Sequence, residues 1–283
     1  MPSVLIADSG STKTDWCLLS KNKEPEHFPT SGINPFFHTE EDCCTLLEKE
    51  LKLDPAAHKI GRIVFYGAGV KDGAKADFLK KIFRRHFGVD NVEVHSDLLA
   101  AARATCGDDP GVVCILGTGS NSGFYDGKKI KHQNPSLGYV IGDEGSGSYL
   151  GKRVLQYFFY HTFDEDLHAS FRNKYGDDLS AILQKVYNEP FGNRYLASFT
   201  QFLIEQRGHY MVENIIEDAF IDFHQRHILK YRESWQYPIH FCGTVAYEFR
   251  DILLELHAQY GLDTGKIFKT PRQGLVDYHR QLM

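Results

Sequence analysis

The sequence predicts an α/β protein whose sheets are largely covered by helices. Short apolar runs of β-forming residues alternate with helix-like patterns through the first half of the chain, as is typical of α/β architecture. The segments LIADSGSTKTDW (5–16) and CILGTGSNSGFY (114–125) each run from an apolar strand into a turn of small residues and back into a strand. This internal echo indicates two related lobes. At 283 residues the chain is long enough for two moderate cores.

The first lobe is predicted to contain four strands and two helices. The strands are expected at 3–8, 15–20, 62–69 and 92–95, and the helices at 74–88 and 97–104. The longer helix has one apolar face and is expected to stop at Gly88, because glycine readily adopts the left-handed conformation that ends helices. Residues 1–107 are therefore assigned to an N-terminal lobe, with segment 268–283 as a candidate addition to it.

The second lobe is predicted over residues 108–267. Strands are expected at 111–117 and 122–132, where Asp126 and Gly127 form a hairpin signal. The part from about 146 to 237 is rich in aromatics and helical in pattern. Residues 238–261 then return to a strand, a glycine turn and a helix.

Composition excludes several classes of protein. The formal net charge is −5 and no basic block recurs, so nucleic acid is not an expected partner. The chain does not start with a basic segment and an apolar helix, and no apolar run is long enough to span a membrane. A cytoplasmic protein is therefore expected. The six cysteines are scattered without a CxxC pair, which favours reduced, mostly buried thiols over a metal or cluster site.

Both hairpins contain the residue types that bind phosphate. Unshielded backbone N–H groups and small hydroxyls bind phosphate oxygens well. The candidate phosphate ligands are Gly10, Ser11, Thr12 and Lys13 in the first hairpin, and Gly117, Thr118 and Gly119 in the second. Asp8 ends the first strand and is a candidate magnesium ligand, directly or through water, because this ion favours one or two carboxylates with waters and phosphates. The glycine spacings match neither a Walker motif nor a Rossmann fingerprint.

Three segments resemble the nucleotide motifs of the actin-like ATPase superfamily. They are the acid-led hairpin at Asp8, the GTGSN hairpin at Gly117 and the strand–GTVA–helix at Gly243, in the same order along the chain. The block GTGSNS followed by GYVIGDEGSGSYLG is similar to the N-acetylglucosamine kinase branch, which groups with the BadF/BadG-type ATPases. The similarity extends to TPRQGL near the C-terminus. It implies two actin-like (ribonuclease H-like) lobes around a central nucleotide cleft.

The resemblance also implies ATP and Mg²⁺ as cofactors and gives roles to matching positions. Thr12 and Thr118 match phosphate contacts, and Asp8 matches the anchor of a magnesium-bound water. The adenosine motif falls on Gly243, Thr244 and Ala246. The sugar-binding positions fall on Asn34, Ser120, Asn121, Asp143 and the catalytic Asp97. Gly138 lies where the sugar kinases often carry a Gly-Trp-Gly turn, and this chain has Ser136-Leu137-Gly138 there. The resemblance therefore does not indicate how an N-acetyl group would be bound.

Asp97 and Asp143 each have a structural alternative. Asp97 follows a strand and begins a helix, which is the position of a common helix N-cap. The resemblance favours the other interpretation, a general base that accepts the proton of the attacking sugar hydroxyl. Asp143 and Glu144 are candidates to cap the helix that begins near Ser146. A sugar-binding role is favoured for Asp143, and a structural role for Glu144.

The expected function is an ATP-dependent sugar kinase that phosphorylates the 6-hydroxyl of N-acetylglucosamine or a related amino sugar. The resemblance also implies a homodimer. One alternative is a BadF-type activator ATPase, which would need a cysteine pair after Gly119 that the sequence lacks. A nucleotide-gated binding module without a sugar substrate is the other alternative.

Overall fold

The computed structural model describes residues 2–10, 13–35, 38–54, 57–70 and 73–283. The chain divides into two compact units. Unit 1 comprises Met1–Asp108 together with Pro271–Met283, and unit 2 comprises Asp109–Thr270. No helix in the described parts of the chain combines the length and the apolar character needed to cross a membrane.

Unit 1 begins with five strands and three helices. The strands are β1 (Ser3–Ser9), β2 (Lys13–Leu19), β3 (Glu26–Ser31), β4 (Ile60–Gly67) and β5 (Val92–Ser96). The helices are α1 (Glu40–Glu50), α2 (Ala74–Phe87) and α3 (Asp97–Thr105). Helix α2 stops at Gly88 in the left-handed conformation, as predicted.

The sheet of unit 1 has the order β3-β2-β1-β4-β5. Strands β1, β2 and β3 form an antiparallel meander, and β4 and β5 run parallel to β1. The register places Ser9, Gly67 and Ser96 in one row at the carboxyl ends of the parallel strands. The residues just before and after this row, including Asp8 and Asp97, therefore lie at one edge of the sheet.

Unit 2 contains the remaining strands and most of the helices. Its strands are β6 (Pro110–Leu116), β7 (Ser120–Asp126), β8 (Ile130–Gln133), β9 (Ile239–Cys242) and β10 (Thr264–Phe268). The helices up to residue 205 are α4 (Gly138–Ile141), α5 (Gly147–Phe159), α6 (Glu165–Tyr175), α7 (Leu179–Tyr187), α8 (Gly192–Ser198) and α9 (Thr200–Glu205). They are followed by α10 (Tyr210–Arg226), α11 (Thr244–Glu248) and α12 (Arg250–Tyr260), with 3₁₀ turns at Ile228–Lys230 and Arg232–Trp235.

The sheet of unit 2 repeats the topology of unit 1. Its order is β10-β9-β6-β7-β8, with an antiparallel β6-β7-β8 meander and β9 and β10 parallel to β6. An aromatic-rich core, which includes Phe158, Phe171 and Phe223, packs between this sheet and the helices. The internal echo in the sequence therefore corresponds to a repeated fold.

The last helix, α13 (Arg272–Gln281), belongs to unit 1. Its buried Leu275 and Val276 share a core cluster with side chains of β1, β2, β4 and α3. The other face of the sheet packs against α1 and α2 around Trp16 and Phe83. Both faces of the sheet are therefore covered, as the sequence predicts.

Candidate functional site

The acidic edge of unit 1 is built by Asp8, Asp15 and Asp97. Asp8 lies near the end of β1, and Asp15 is its direct partner on β2. The Asp15 carboxylate is paired with Arg272 Nε at 2.7 Å and with His27 Nδ1 at 3.1 Å. Burial, and then the charges of Asp97 and Asp15, raise the pKa of Asp8 to about 7. The ionised form of Asp8 is therefore disfavoured unless a cation lies beside it.

Asp97 occupies the first helical position of α3, and Ser96 is the N-cap. The Ser96 hydroxyl accepts the Leu99 N–H at 3.3 Å, whereas Asp97 Oδ1 accepts the neighbouring Leu98 N–H at 2.8 Å. The alternative that Asp97 is the cap is therefore wrong, because Ser96 performs that function. Burial raises the pKa of Asp97 to about 6 despite these backbone hydrogen bonds. Its carboxyl group is thus near the pKa that suits a general base at neutral pH.

The first hairpin is described only in part. Gly10 N–H donates to the Lys13 carbonyl at 3.0 Å, while Ser11 and Thr12 lie outside the described residues. Beside it, the Ser9 hydroxyl accepts the Ile33 N–H at 2.9 Å, which fixes the strand end to the segment that carries Asn34. Asn34 is buried, and its N–H donates to His38 Nδ1 at 3.1 Å. The hairpin thus holds Ile33, the residue before the candidate sugar ligand Asn34.

The donor set at the acidic edge fits a magnesium ion bound mainly by phosphates and water. Because Arg272 and His27 already engage Asp15, Asp8 is the carboxylate that would hold the ion. The raised pKa of Asp8 fits this role, since a bound cation would favour its ionised form. Among the described residues, no group of three or more His, Cys, Asp or Glu could hold a metal. Few protein ligands are expected for Mg²⁺ in phosphate sites.

The second hairpin, at Gly117–Gly119, is fixed to the start of α5. Gly117 N–H donates to the Gly119 carbonyl at 3.0 Å within the turn. The N–H groups of Gly147 and Ser148 donate to the carbonyls of Gly117 and Thr118 at 2.8 and 3.0 Å. The carbonyls of the turn are therefore turned towards α5, and the hairpin has a defined conformation.

The Gly243 turn lies beside this hairpin because β6 and β9 are neighbours in register. Gly243 has a φ of 130°, and a Cβ there would collide with the Leu116 carbonyl. Glycine is therefore required at this position. Thr244 begins α11 and is exposed, whereas Ala246 is fully buried in the core.

A cavity of about 300 Å³ opens between the second hairpin and helices α8, α9 and α11. Gly117, Thr118 and Thr244 line it, so the structure brings two of the predicted nucleotide motifs together. Ala246 is not among the lining residues. The other lining residues are Gly147, Ala197, Ser198, Thr200, Gln201, Ile204, Val245, Glu248 and Phe249. The contribution of α8 and α9 was missed by sequence reasoning, because it arises from helix packing and carries no local motif.

Asp143 lies directly over the second hairpin. The Ser120 N–H donates to its carboxylate, and a Cβ on Gly119 would come within 2.8 Å of Asp143 Oδ2. Asp143 has a φ of 60°, a conformation uncommon for residues other than glycine. Its pKa is raised, mainly by burial. It does not cap α5, because the Ser146 side chain accepts the Tyr149 N–H there, so that alternative is also wrong.

The other predicted sugar positions surround this turn. Ser120 is buried, and its hydroxyl has no hydrogen-bond partner among the described residues. The Asn121 side-chain oxygen accepts the Ser122 N–H and the Gln133 amide, both at 2.9 Å. Gly138 begins α4 with a φ of 74°, and Val140 and Ile141 of the same helix are exposed. Among these predicted sugar positions, Ser120 is therefore the one whose buried hydroxyl is left without a hydrogen-bond partner in the described part of the chain.

The repeated pair of five-stranded sheets is the actin-like ATPase fold. The chain superimposes on MreB 5 of Spiroplasma citri with a TM-score of 0.63 at 10% identity, over 100% of this chain and 96% of that chain. The BadF/BadG/BcrA/BcrD ATPase family model matches residues 7–234. The chain therefore belongs to the BadF/BadG/BcrA/BcrD ATPase family, and the fold and family expected from the sequence are confirmed.

Two similar structures are candidate N-acetylglucosamine kinases. The one from Porphyromonas gingivalis is 39% identical, with a TM-score of 0.93 over 98% of this chain and 99% of that chain. The one from Chromobacterium violaceum is 18% identical, with a TM-score of 0.74 over the same shares, and shows the common fold. A comparison with curated proteins gave no match.

Proposed function

We propose that the protein is an ATP-dependent kinase that phosphorylates the 6-hydroxyl of N-acetylglucosamine or a related amino sugar. Membership of an ATPase family supports the nucleotide, and the 39% identical candidate N-acetylglucosamine kinase supports the acceptor. In this proposal the protein acts in the cytoplasm on a small-molecule substrate. Nucleic acids and membranes are not among its partners. A homodimer is part of the same proposal.

The observation that carries the proposal is the state of Asp97. Its carboxyl group is not needed as a helix cap, lies at the same sheet edge as Asp8, and has a pKa raised to about 6. Asp97 accepts the proton of the sugar hydroxyl while the hydroxyl oxygen forms a bond to the γ-phosphorus. The bond from that phosphorus to the bridging β–γ oxygen breaks, and ADP leaves. Bound Mg²⁺ supplies charge neutralisation on the phosphates, with Asp8 as its candidate protein ligand.

Unit 2 carries the proposed ligands of the nucleotide and some of the proposed ligands of the sugar. In the proposal, the second hairpin binds phosphate through Gly117, Thr118 and Gly119, and the 300 Å³ cavity receives the nucleoside beside Thr244. The first hairpin, including Ser11 and Thr12, binds the terminal phosphate. In unit 2, Asp143, Asn121 and Ser120, whose hydroxyl has no hydrogen-bond partner among the described residues, bind hydroxyls of the sugar. Asn34 of unit 1 is a further proposed sugar ligand.

The proposal is tested with purified protein, ATP, Mg²⁺ and a panel of hexoses and amino sugars, using wild type and Asp97→Asn side by side. We expect turnover on N-acetylglucosamine or a close relative. Asp97→Asn should lower kcat by about 10²- to 10⁴-fold, the usual contribution of a general base, with sugar and ATP binding retained. Unchanged turnover in Asp97→Asn would remove the base role.

The same panel separates the kinase from the other members of its class. ATP hydrolysis that no sugar accelerates would overturn the kinase and favour a nucleotide-gated binding module. Iron in an anaerobic preparation would favour the activator role, although the sequence has no cysteine between Cys114 and Cys242.

A further inference from the structure

A chain of buried polar side chains crosses unit 2 and ends next to Asp143. Tyr231 OH lies 2.9 Å from Ser122 Oγ, which lies 3.3 Å from His227 Nδ1. His227 Nε2 lies 3.4 Å from Glu144 Oε2. All four side chains belong to residues that are at most 9% exposed. Buried polar groups of this kind carry a large energetic penalty when any one of them is left unpaired.

The Glu144 end of the chain fixes the direction of every hydrogen bond in it. Because a carboxylate can only accept, neutral His227 carries its proton on Nε2 and donates it to Glu144, which leaves Nδ1 to accept from the Ser122 hydroxyl. Ser122 has one hydroxyl proton to donate, so its oxygen accepts from Tyr231 OH, which in turn accepts the Asn134 N–H at 2.9 Å. The reverse direction would place an unprotonated Nε2 against a carboxylate, which pairs two acceptors.

The surroundings keep His227 neutral. Burial lowers the pKa of His227 more than Glu144 raises it, and the charge of Arg226 lowers it further. Arg226 Nε is 3.7 Å from the other oxygen of Glu144. The ring of His227 stacks on Phe223 with a centroid distance of 4.8 Å. The neutral imidazole is the form that the directed chain requires.

The turn that the chain anchors is the turn that carries Asp143. Glu144 follows Asp143 directly, and the next residue, Gly145, has a φ of 71°. A Cβ on Gly145 would come within 3.0 Å of Phe223 Cβ, so this backbone packs closely on α10. Asp143, a residue other than glycine with a positive φ, keeps this costly conformation only where its surroundings hold it, and the anchor of the next residue, Glu144, contributes to that.

We propose that the chain Tyr231–Ser122–His227–Glu144 is a positioning device that holds Asp143 in its left-handed conformation for binding the sugar. The proposal rests on the proposed function, in which Asp143 binds a sugar hydroxyl. Glu144, His227 and Tyr231 are positioning residues, since they act through Asp143. Loss of the chain weakens sugar binding equally in the ground state and the transition state, so it raises KM for the sugar and leaves kcat and KM for ATP unchanged.

The test compares wild type with Tyr231→Phe, Glu144→Ala and Glu144→Gln. Tyr231→Phe removes the hydrogen bond to Ser122 and the acceptor of the Asn134 N–H, and Glu144→Ala removes the acceptor of His227 Nε2. Each variant should raise the sugar KM about 3- to 10-fold. Glu144→Gln keeps an oxygen that accepts from His227 Nε2, so its KM should stay within about twofold of wild type. Tyr157→Phe is the matched control, because that ring packs on Phe163 in the same unit.

Hydrogen exchange of the backbone of residues 142–148 is measured on the same four variants without any ligand. Faster exchange in Tyr231→Phe and Glu144→Ala, but not in Glu144→Gln or Tyr157→Phe, supports the anchor. Wild-type turnover with unchanged sugar KM and unchanged exchange in all variants overturns it. If wild type phosphorylates no sugar, the proposed function fails, and the exchange data alone decide whether the chain holds the turn.

Discussion

At the start of α3, the structure shows which of two neighbouring polar residues caps the helix, which the sequence alone could not decide. The Ser96 hydroxyl accepts the Leu99 N–H and so stabilises the helix, which leaves Asp97 with a buried charge and a raised pKa. A carboxylate held in this way destabilises the folded protein at neutral pH, because the folded state disfavours its ionised form. In the proposed function Asp97 is the general base, and stability lost at a catalytic residue is a common trade-off.

We therefore predict opposite effects on stability at these two positions. Ser96→Ala should lower the free energy of unfolding by about 1 kcal/mol, the usual contribution of an N-cap. Asp97→Asn should raise it by about 1 to 2 kcal/mol at pH 7.5, because it removes the buried charge and keeps an acceptor for the Leu98 N–H. Urea denaturation of both variants measures the difference. Equal destabilisation would show that Asp97 also acts as a structural residue of the helix.

The candidate site was predictable where a residue type at a strand end fixes the chemistry. Asp8 lies near the end of β1 and Asp97 directly follows β5, and the register of the parallel strands brings such positions to one edge. The pairing of Asp15 with Arg272 was not predictable. The two residues are far apart in the sequence, and they meet only because the last helix packs within unit 1. The chain through His227 depends likewise on contacts between distant segments.

Helices α10 and α12 meet through two buried histidines. His224 and His257 are edge to face, with ring centroids 5.0 Å apart. The Nδ1 atoms lie 2.7 Å from the Phe220 carbonyl and from Thr264 Oγ1, respectively. Burial lowers the pKa of His224 to about 4 and that of His257 to about 3. Both rings are therefore neutral in the folded protein and become protonated on unfolding in mild acid.

We predict that this helix contact makes the protein less stable as the pH falls below 6.5. The folded pKa lies below the unfolded value, so the stabilisation is complete above the unfolded pKa and is lost as pH falls towards the folded one. Between pH 7.5 and 5.5, each such histidine should contribute a loss of about 1.4 kcal/mol.

Urea denaturation of wild type and His257→Asn at the two pH values measures this contribution. The variant should lose about 1.4 kcal/mol less than wild type over this interval. His132→Asn is the control, because that side chain is 65% exposed. Equal pH dependence in wild type and His257→Asn would contradict the assignment of His257 as a buried neutral residue.

The elements that sequence patterns predicted are the central strands and the amphipathic helices. Strands β3 and β10 were not predicted, because they are edge strands with little apolar alternation. Pro29 lies within β3, where proline is tolerated only at an edge, and β10 contains Gly265 and Lys266. Helix α13 also has a glycine in its interior. Packing against the rest of the unit determines these elements more than their own propensities do.

At the scale of the whole molecule, the two units have the same strand topology, but they differ in which parts of the chain build them. Unit 2 is a continuous stretch of chain, whereas unit 1 needs the final helix to cover one face of its sheet. Tyr66 on β4 accepts from Arg103 of α3 at 2.7 Å and lies 2.9 Å from His279 Nε2 of α13. These contacts join α13 to β4 and α3 within one core. Helix α13 also carries Arg272, which pairs with Asp15.

We predict that the close contact of α13 with α3 determines the stability of unit 1. A Cβ on Gly274 would overlap the backbone of Ala104, so Gly274→Val must push the two helices apart. Overpacking of this kind should lower the free energy of unfolding by about 1 to 3 kcal/mol. Gln273→Ala, at an exposed position of the same helix, should change it by less than about 0.5 kcal/mol. Because a shift of α13 also moves Arg272 relative to Asp15, Gly274→Val should lower the proposed kinase activity more than Gln273→Ala does. Thermal denaturation and turnover of the two variants test this prediction. A Gly274→Val protein as stable as wild type would show that α13 is not closely packed against α3 in solution.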